Sequence, residues 1–236
     1  MPENSNDNNV ADMRVSYDRD TLLESDLAKT PLGQFEHWLA DAVAHPDILE
    51  PNAMVLATLG QVPSARSVLL KGIDSRGLTF FTNYDSRKAQ EMADHANVSV
   101  VFPWYSLHRQ VIVIGTVQQV SREESHAYFR TRPHLSQLGA HASHQSAPID
   151  NRDILETTMS ALVAKYPEGS QVPMPDFWGG YLICVTSMEF WQGRRSRLHD
   201  RLRFERVTGT NEQNNAEQNN AELDVESNWR VQRYSP

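Results

Sequence analysis

Apolar and polar positions along this chain follow two periods. From Leu32 the apolar residues recur every three or four positions (Leu32, Phe35, Leu39, Ala42, Val43), the stripe of a helix packed on one side. Thr30-Pro31 starts it with a hydroxyl cap and a ring that fits the first helical position, and Pro46 ends it. The period then shortens to two. Ala53–Leu59, Arg66–Lys71, Leu78–Thr82, Asn97–Trp104 and Gln110–Val120 are short runs rich in β-branched and aromatic residues. Turn residues such as Gly60–Pro63 and Asp74-Ser75-Arg76-Gly77 separate them. Two more strands are predicted at Tyr181–Thr186 and Glu189–Gly193, and alternation returns at Trp229–Arg233. Helical spacing reappears behind Ser86, after the capping box Ser121-Arg122-Glu123-Glu124, after Pro133, and after Asp150, where Ile154, Leu155, Thr158, Leu162 and Val163 form the stripe. Sequential strands joined by short turns predict a mainly β, α+β domain: a meander or Greek-key barrel with flanking helices.

Composition sharpens this picture. The 236 residues sustain one domain with a substantial core. Residues 1–12 are rich in Asn and Asp and predict a disordered tail, which leaves 13–236 as the domain. A repeated Glu-Gln-Asn-Asn-Ala from Glu212 marks a low-complexity loop at about 208–228. The net charge of −8 opposes non-specific nucleic-acid binding. No apolar run approaches a membrane span, the N-terminus has no apolar signal core, and Cys184 stands alone. The expectation is a cytoplasmic protein without an internal disulfide. His141 and His144 lack a third ligand, so no metal is expected.

In an acidic chain, grouped cations call for explanation. Arg66 and Lys71 flank an apolar strand and point to opposite faces by parity. They offer positions for two separate anions, or they are the solvated ends of a core strand. Arg87 and Lys88 occupy the first turn of a helix, where the macrodipole disfavours them unless a phosphate sits there; the alternative is solvated surface charge. Tyr128 and Arg132 share a helical face, with Ser136 just beyond Pro133. These three suit a phosphate monoester, or else an aromatic-anchored surface helix. Arg197, His199 and Arg201 share a strand face by parity and imply an anion, RNA or a small phosphorylated ligand, the second fitting the overall charge better. Arg14 and Tyr17 lie on one side of a helical turn, in an arm that closes over something or simply lies on the surface.

Together these stretches resemble a known family, the pyridoxine/pyridoxamine 5′-phosphate oxidases. The resemblance is carried by Arg66-Ser-Val-Leu-Leu-Lys71, Phe81-Thr82-Asn83, Ser86-Arg87-Lys88-Ala89, Phe102-Pro103-Trp104 and Arg109-Gln110-Val111. Ser143-His144-Gln145-Ser146, Phe177-Trp178-Gly179-Gly180, Phe190-Trp191-Gln192-Gly193 and Arg197-Leu198-His199-Asp200-Arg201 complete it. It implies a homodimer of FMN-binding split β-barrels. These oxidise pyridoxamine and pyridoxine 5′-phosphates to pyridoxal 5′-phosphate, with O2 reduced to hydrogen peroxide. FMN would contact the segment Arg66, Ser67, Val68, Leu69, Leu70 and Lys71 together with Phe81, Thr82 and Gln110. Arg66 and Lys88 would hold its phosphate, with Arg87 beside them. Gln145, Ser146, Trp191 and Arg201 would come from the partner subunit. Lys71, Tyr128, Arg132 and Ser136 would hold the substrate phosphate. Arg197 and His199 would hold the pyridine ring and serve catalysis, and Arg14 with Tyr17 would form a lid. Three departures stand out: the Asn-rich insert, the ending Arg233-Tyr-Ser-Pro236, and Phe81 where the family often has Tyr. The rivals are a non-catalytic flavin or B6-phosphate binder, a deazaflavin oxidoreductase and, least in keeping with the charge, an RNA-binding barrel.

Overall fold

The computed structural model describes Val10, Tyr17, residues 20–207 and residues 222–236. The tail of residues 1–12 apart from Val10, the arm residue Arg14, and the repeat itself lie outside the described residues. The expected low-complexity loop ends sooner than residue 228, because Leu223 is 1% exposed in the main core.

Nine strands form one antiparallel sheet: β1 (Ala53–Leu59), β2 (Pro63–Leu69), β3 (Gly72–Asp74), β4 (Gly77–Asn83), β5 (Asn97–Trp104), β6 (Arg109–Gln119), β7 (Trp178–Gln192), β8 (Asp200–Arg206) and β9 (Trp229–Arg233). The order is β2-β1-β5-β6-β7-β4-β3. β7 branches the sheet: its first half pairs with β4 and its second half with β8, which pairs in turn with β9. The two strands expected at 181–193 are therefore one strand of fifteen residues. The polar Thr186 and Ser187 in its middle are no break, because β6 accompanies it past a register shift at Ile114/Gly115. Gly115 is required there, since a Cβ would lie 2.3 Å from the Cys184 carbonyl oxygen.

Among the described residues five α-helices flank the sheet: α1 (Pro31–Ala44), α2 (Arg87–Asp94), α3 (Arg122–Thr131), α4 (His134–Ala142) and α5 (Asp153–Lys165). Thr30 caps α1 as its sequence predicts, accepting from the Gly33 N–H at 3.2 Å. Phe35, Trp38 and Ala42 face the core, whereas Val43 is 64% exposed, so the buried stripe runs through Trp38. Asp150 does not cap α5. Arg152 holds that position, and the Asn151 side chain accepts from Ile154 N–H.

The main core fills the curled sheet, with Phe35, Phe80, Phe102, Phe190 and Phe204 each at most 0% exposed. Fully burying one such side chain stabilises by roughly 1.5–3 kcal/mol. A second cluster, Phe129, Leu138, Val172, Met174 and Trp178, seats α3 and α4 beside the sheet. Among the described residues no helix is long and apolar enough to cross a membrane.

Candidate active site

β2 is an edge strand, not the buried strand that its Val-Leu-Leu centre suggested. It ends at Leu69, and Lys71 lies beyond it. Its free side opens on a cavity of about 1080 Å³ shared with β4, the start of α2, α3, α4 and the segment 143–146. Arg66, Ser67, Val68, Leu69, Lys71, Phe81, Thr82, Arg87, Lys88, Tyr128, Arg132, Ser136, Gln145 and Ser146 all line it. The two anion positions expected on opposite faces of a strand thus open into one cavity. Leu70 is the exception within its segment: it is 5% exposed and packed in the main core.

Cations gather at one end. Lys88 is 7% exposed, and its Nζ donates to Thr82 Oγ1 (3.0 Å), Ser86 Oγ (3.2 Å) and Gln145 Oε1 (2.7 Å). Burial, helped by the neighbouring Arg66 charge, pushes its pKa down to about 8. Ser86 stands at the cap position of α2, yet its hydroxyl donates to the Asn83 carbonyl. The Arg87 N–H is instead met by Ser146 Oγ at 3.2 Å. Gln145 and Ser146 therefore sit on the cavity of their own chain, where the resemblance had assigned them to a partner. The helix start at Arg87–Lys88 draws polar oxygens to itself, as a dipole end with unpaired N–H groups does.

At the other end Arg132 is the cap residue after α3, in extended conformation, so it does not share a helical face with Tyr128. Both nonetheless reach the cavity. The Arg132 guanidinium lies 4.7 Å over Trp178 and 5.5 Å over Phe129. Its Nη1 is buried without a hydrogen-bond partner, and burial lowers its pKa. A buried cationic donor left unpaired in the protein is costly unless an anion meets it. Between the two ends Phe81 stacks on Tyr128 (4.0 Å) and on Trp178 (5.5 Å), giving the cavity an aromatic wall. Phe81 contributes a ring face there, which needs no hydroxyl.

The remaining candidates form a second cluster. Gln110 and Trp191 are paired across β6 and β7, and Trp191 lies 4.6 Å from the His199 ring. Tyr17 packs against Trp191, His199 and His108. His199 Nδ1 accepts from the Arg194 N–H at 3.0 Å. Burial first, then Arg197, lowers the His199 pKa, so the ring is neutral at pH 7 and carries its proton on Nε2. Arg197 and His199 precede β8 rather than belonging to it, so strand parity does not unite them with Arg201. A short turn, with Ser196 (φ 57) and Arg197 (φ 63) in the left-handed region, presents Arg197 to solvent. The arginines nearby do not all await a ligand either. Glu189 holds Arg201 (2.8 Å) and Arg203 (2.6 Å), and Asp200 pairs with Arg233.

β7 separates the two groups. It runs from Trp178 at the cavity to Trp191 in the cluster, roughly 40 Å at the usual rise per residue. The two groups thus stand toward opposite ends of that strand. Several cavity residues were given no site role by the sequence: Ser64, Asn83 and Trp178, with Thr58 and Glu91 beneath. Of these, Glu91 left a signal, a carboxylate four residues after Arg87.

Comparison with known proteins identifies the family. Residues 41–165 match the family profile described as pyridoxamine 5′-phosphate oxidase. Residues 178–236 match the pyridoxine 5′-phosphate oxidase C-terminal dimerisation region. A pyridoxine/pyridoxamine 5′-phosphate oxidase of Thermobifida fusca is 45% identical over 229 residues, covering 96% of this chain and 97% of the relative. One of Frankia casuarinae is 50% identical over 200 residues, covering 83% and 74%. Among solved structures, PhzG from Burkholderia lata, in complex with tetrahydrophenazine-1-carboxylic acid, superposes with a TM-score of 0.78 at 27% identity, covering 92% of this chain and 98% of that one. An FMN-binding protein of Nostoc punctiforme shares the fold (TM-score 0.62, 15% identity, 92% and 100% covered). With a cavity that is cationic at both ends and these matches in hand, the chain belongs to the pyridoxine/pyridoxamine 5′-phosphate oxidase family.

Proposed function

We propose that this protein is an FMN-dependent oxidase of pyridoxamine 5′-phosphate and pyridoxine 5′-phosphate that yields pyridoxal 5′-phosphate and acts as a homodimer in the cytoplasm. The observation that carries the reading is the unpartnered Arg132 Nη1, buried in the cavity that also holds Arg66 and Lys88. One cavity with two cationic ends suits two phosphorylated molecules side by side. Bound there, FMN would supply the hydride acceptor for the substrate's exocyclic C4′ carbon, with O2 as the final electron acceptor giving hydrogen peroxide.

The protein's part is binding and orientation. Arg66, Arg87 and Lys88 hold the cofactor phosphate, and Lys71, Tyr128, Arg132 and Ser136 hold the substrate phosphate. A clamp on a remote, non-reacting group fixes the position of the reacting carbon. The second cluster, including Arg197 and the Nε2–H of His199, reaches the substrate from the other subunit, where Tyr17, Gln110, Trp191 and Arg201 also close the site.

Turnover is tested directly. Purified protein is examined for a flavin spectrum, then given FMN and pyridoxamine 5′-phosphate while aldehyde and peroxide are followed. A protein that binds no flavin, or forms neither product, would overturn the proposal. Arg197→Met should keep FMN and lose turnover by about 100-fold, since a positioned group acting in the transition state contributes on that order; near-normal turnover would remove Arg197 from the reaction.

Lys88 makes FMN binding depend on pH. Its pKa near 8 means that the ligand-free site holds this charge below pH 8 and loses it as pH rises, while the phosphate stays dianionic. The Kd for FMN should therefore rise about tenfold between pH 7 and pH 9, as the protonated fraction falls. Titration by flavin fluorescence checks this, and Lys88→Gln should flatten the profile.

A further inference from the structure

Beneath the cationic end lies a hydrogen-bond hub that the proposed reaction does not itself use. Glu91 on α2 is buried, its side chain 8% exposed. Its Oε2 accepts from Thr58 Oγ1 (2.5 Å), Ser64 Oγ (2.6 Å) and Arg66 Nη2 (3.1 Å), and its Oε1 accepts from Arg87 Nε (2.7 Å). Four donors hold the carboxyl ionised, at a pKa of about 2, against the opposing effect of burial. Gly60 closes over it, since a Cβ there would lie 3.1 Å from Glu91 Cγ.

The hub apportions the arginine donors. Arg66 Nη1 donates to the Leu56 carbonyl and to Thr58 Oγ1, and Nη2 donates to Ser64 Oγ and Glu91. All of its terminal N–H groups are thus engaged within the protein, which leaves the Nε–H. Arg87 commits only Nε, to Glu91, so both of its terminal nitrogens remain for a ligand, and its side chain is 58% exposed.

We propose that Glu91 is a positioning residue for the cofactor phosphate: by gripping Arg66 and Arg87 at once it fixes their relative placement and decides which of their N–H groups meet the anion. This rests on the reading of the cavity as an FMN site. Preorganisation outweighs the repulsion of an added anion here, because two adjacent guanidinium groups and Lys88 would otherwise repel one another and disperse.

The test separates positioning from mere stapling of the fold. Flavin-free wild type, Glu91→Gln and Glu91→Ala are titrated with FMN and with riboflavin, which lacks the phosphate, by fluorescence quenching. Gln keeps an acceptor for Thr58, Ser64 and Arg66 but loses Arg87, and Ala loses all four. The ratio of riboflavin Kd to FMN Kd should fall about tenfold in Glu91→Gln and further in Glu91→Ala, with riboflavin binding changed less than about twofold. Equal weakening of both flavins would reduce Glu91 to a staple. A raised ratio would make it an opponent of the phosphate. Either overturns the proposal, and Glu91→Gln, being isosteric, decides the matter if Glu91→Ala fails to fold. A wild-type ratio near one would overturn the cofactor site itself, whereas a high ratio left intact by Glu91→Gln overturns only this inference.

Discussion

Two impaired variants, Arg132→Met and Arg197→Met, should regain about a quarter of wild-type activity, assayed at substrate well below the raised KM, when their subunits are mixed, because a symmetric dimer can combine intact surfaces from different chains. Arg132 lines the cavity, and Arg197 lies in the turn before β8, beside the distant cluster. If each site joins the cavity of one subunit to the cluster of the other, a mixed dimer holds one doubly altered site and one intact site. Random pairing makes about half the dimers mixed, and half of their sites are whole. Co-expression with two affinity tags measures this: the unfractionated pool should show about a quarter of wild-type activity and the doubly tagged fraction, all of it mixed dimer, about half. Absence of any recovery would mean that the site lies within a single chain. The length of β7 makes that outcome hard to reconcile with one ligand touching both groups.

Arg132→Met alone should raise the KM for pyridoxamine 5′-phosphate at least 30-fold while FMN binding persists. Truncating one member of a buried charged hydrogen bond costs about 2–5 kcal/mol, and that range sets the factor. The ligand-free protein should not suffer in parallel. Its Nη1 has no partner and burial already disfavours the charge, while Met keeps an apolar stem against Trp178. The melting temperature of the ligand-free variant should stay within about 2 °C of wild type or rise. A large fall in stability would make Arg132 a structural residue, and an unchanged KM would place the substrate phosphate elsewhere.

The elements most legible in the sequence were those decided locally. Ala53–Leu59, Asn97–Trp104 and Trp229–Arg233 stand where alternation put them, since β-branched and aromatic residues between turn signals leave few other conformations. Thr30-Pro31 and Arg87-Lys88 mark helix starts that the structure retains. The candidate cations were also legible, because clustered positive charge in an acidic chain is conspicuous. What failed depended on neighbours distant in sequence. Thr186 and Ser187 look like an interruption until β6 is seen pairing through them. That Arg201 already meets Glu189, twelve residues away, is likewise invisible until β7 and β8 are seen to pair.

The sequence by itself determined the β-rich architecture, most helix starts near their caps, and the set of clustered cationic side chains, because propensity, capping and charge are properties of short segments. Only the tertiary structure decided how that set divides: an edge strand, α2 and the end of α3 bring Arg66, Lys88 and Arg132 around one hollow, while the far end of a single long strand holds Trp191 beside His199. Which cations face a ligand and which are already answered by a carboxylate is set by contacts between residues far apart in the chain, and no local pattern encodes those.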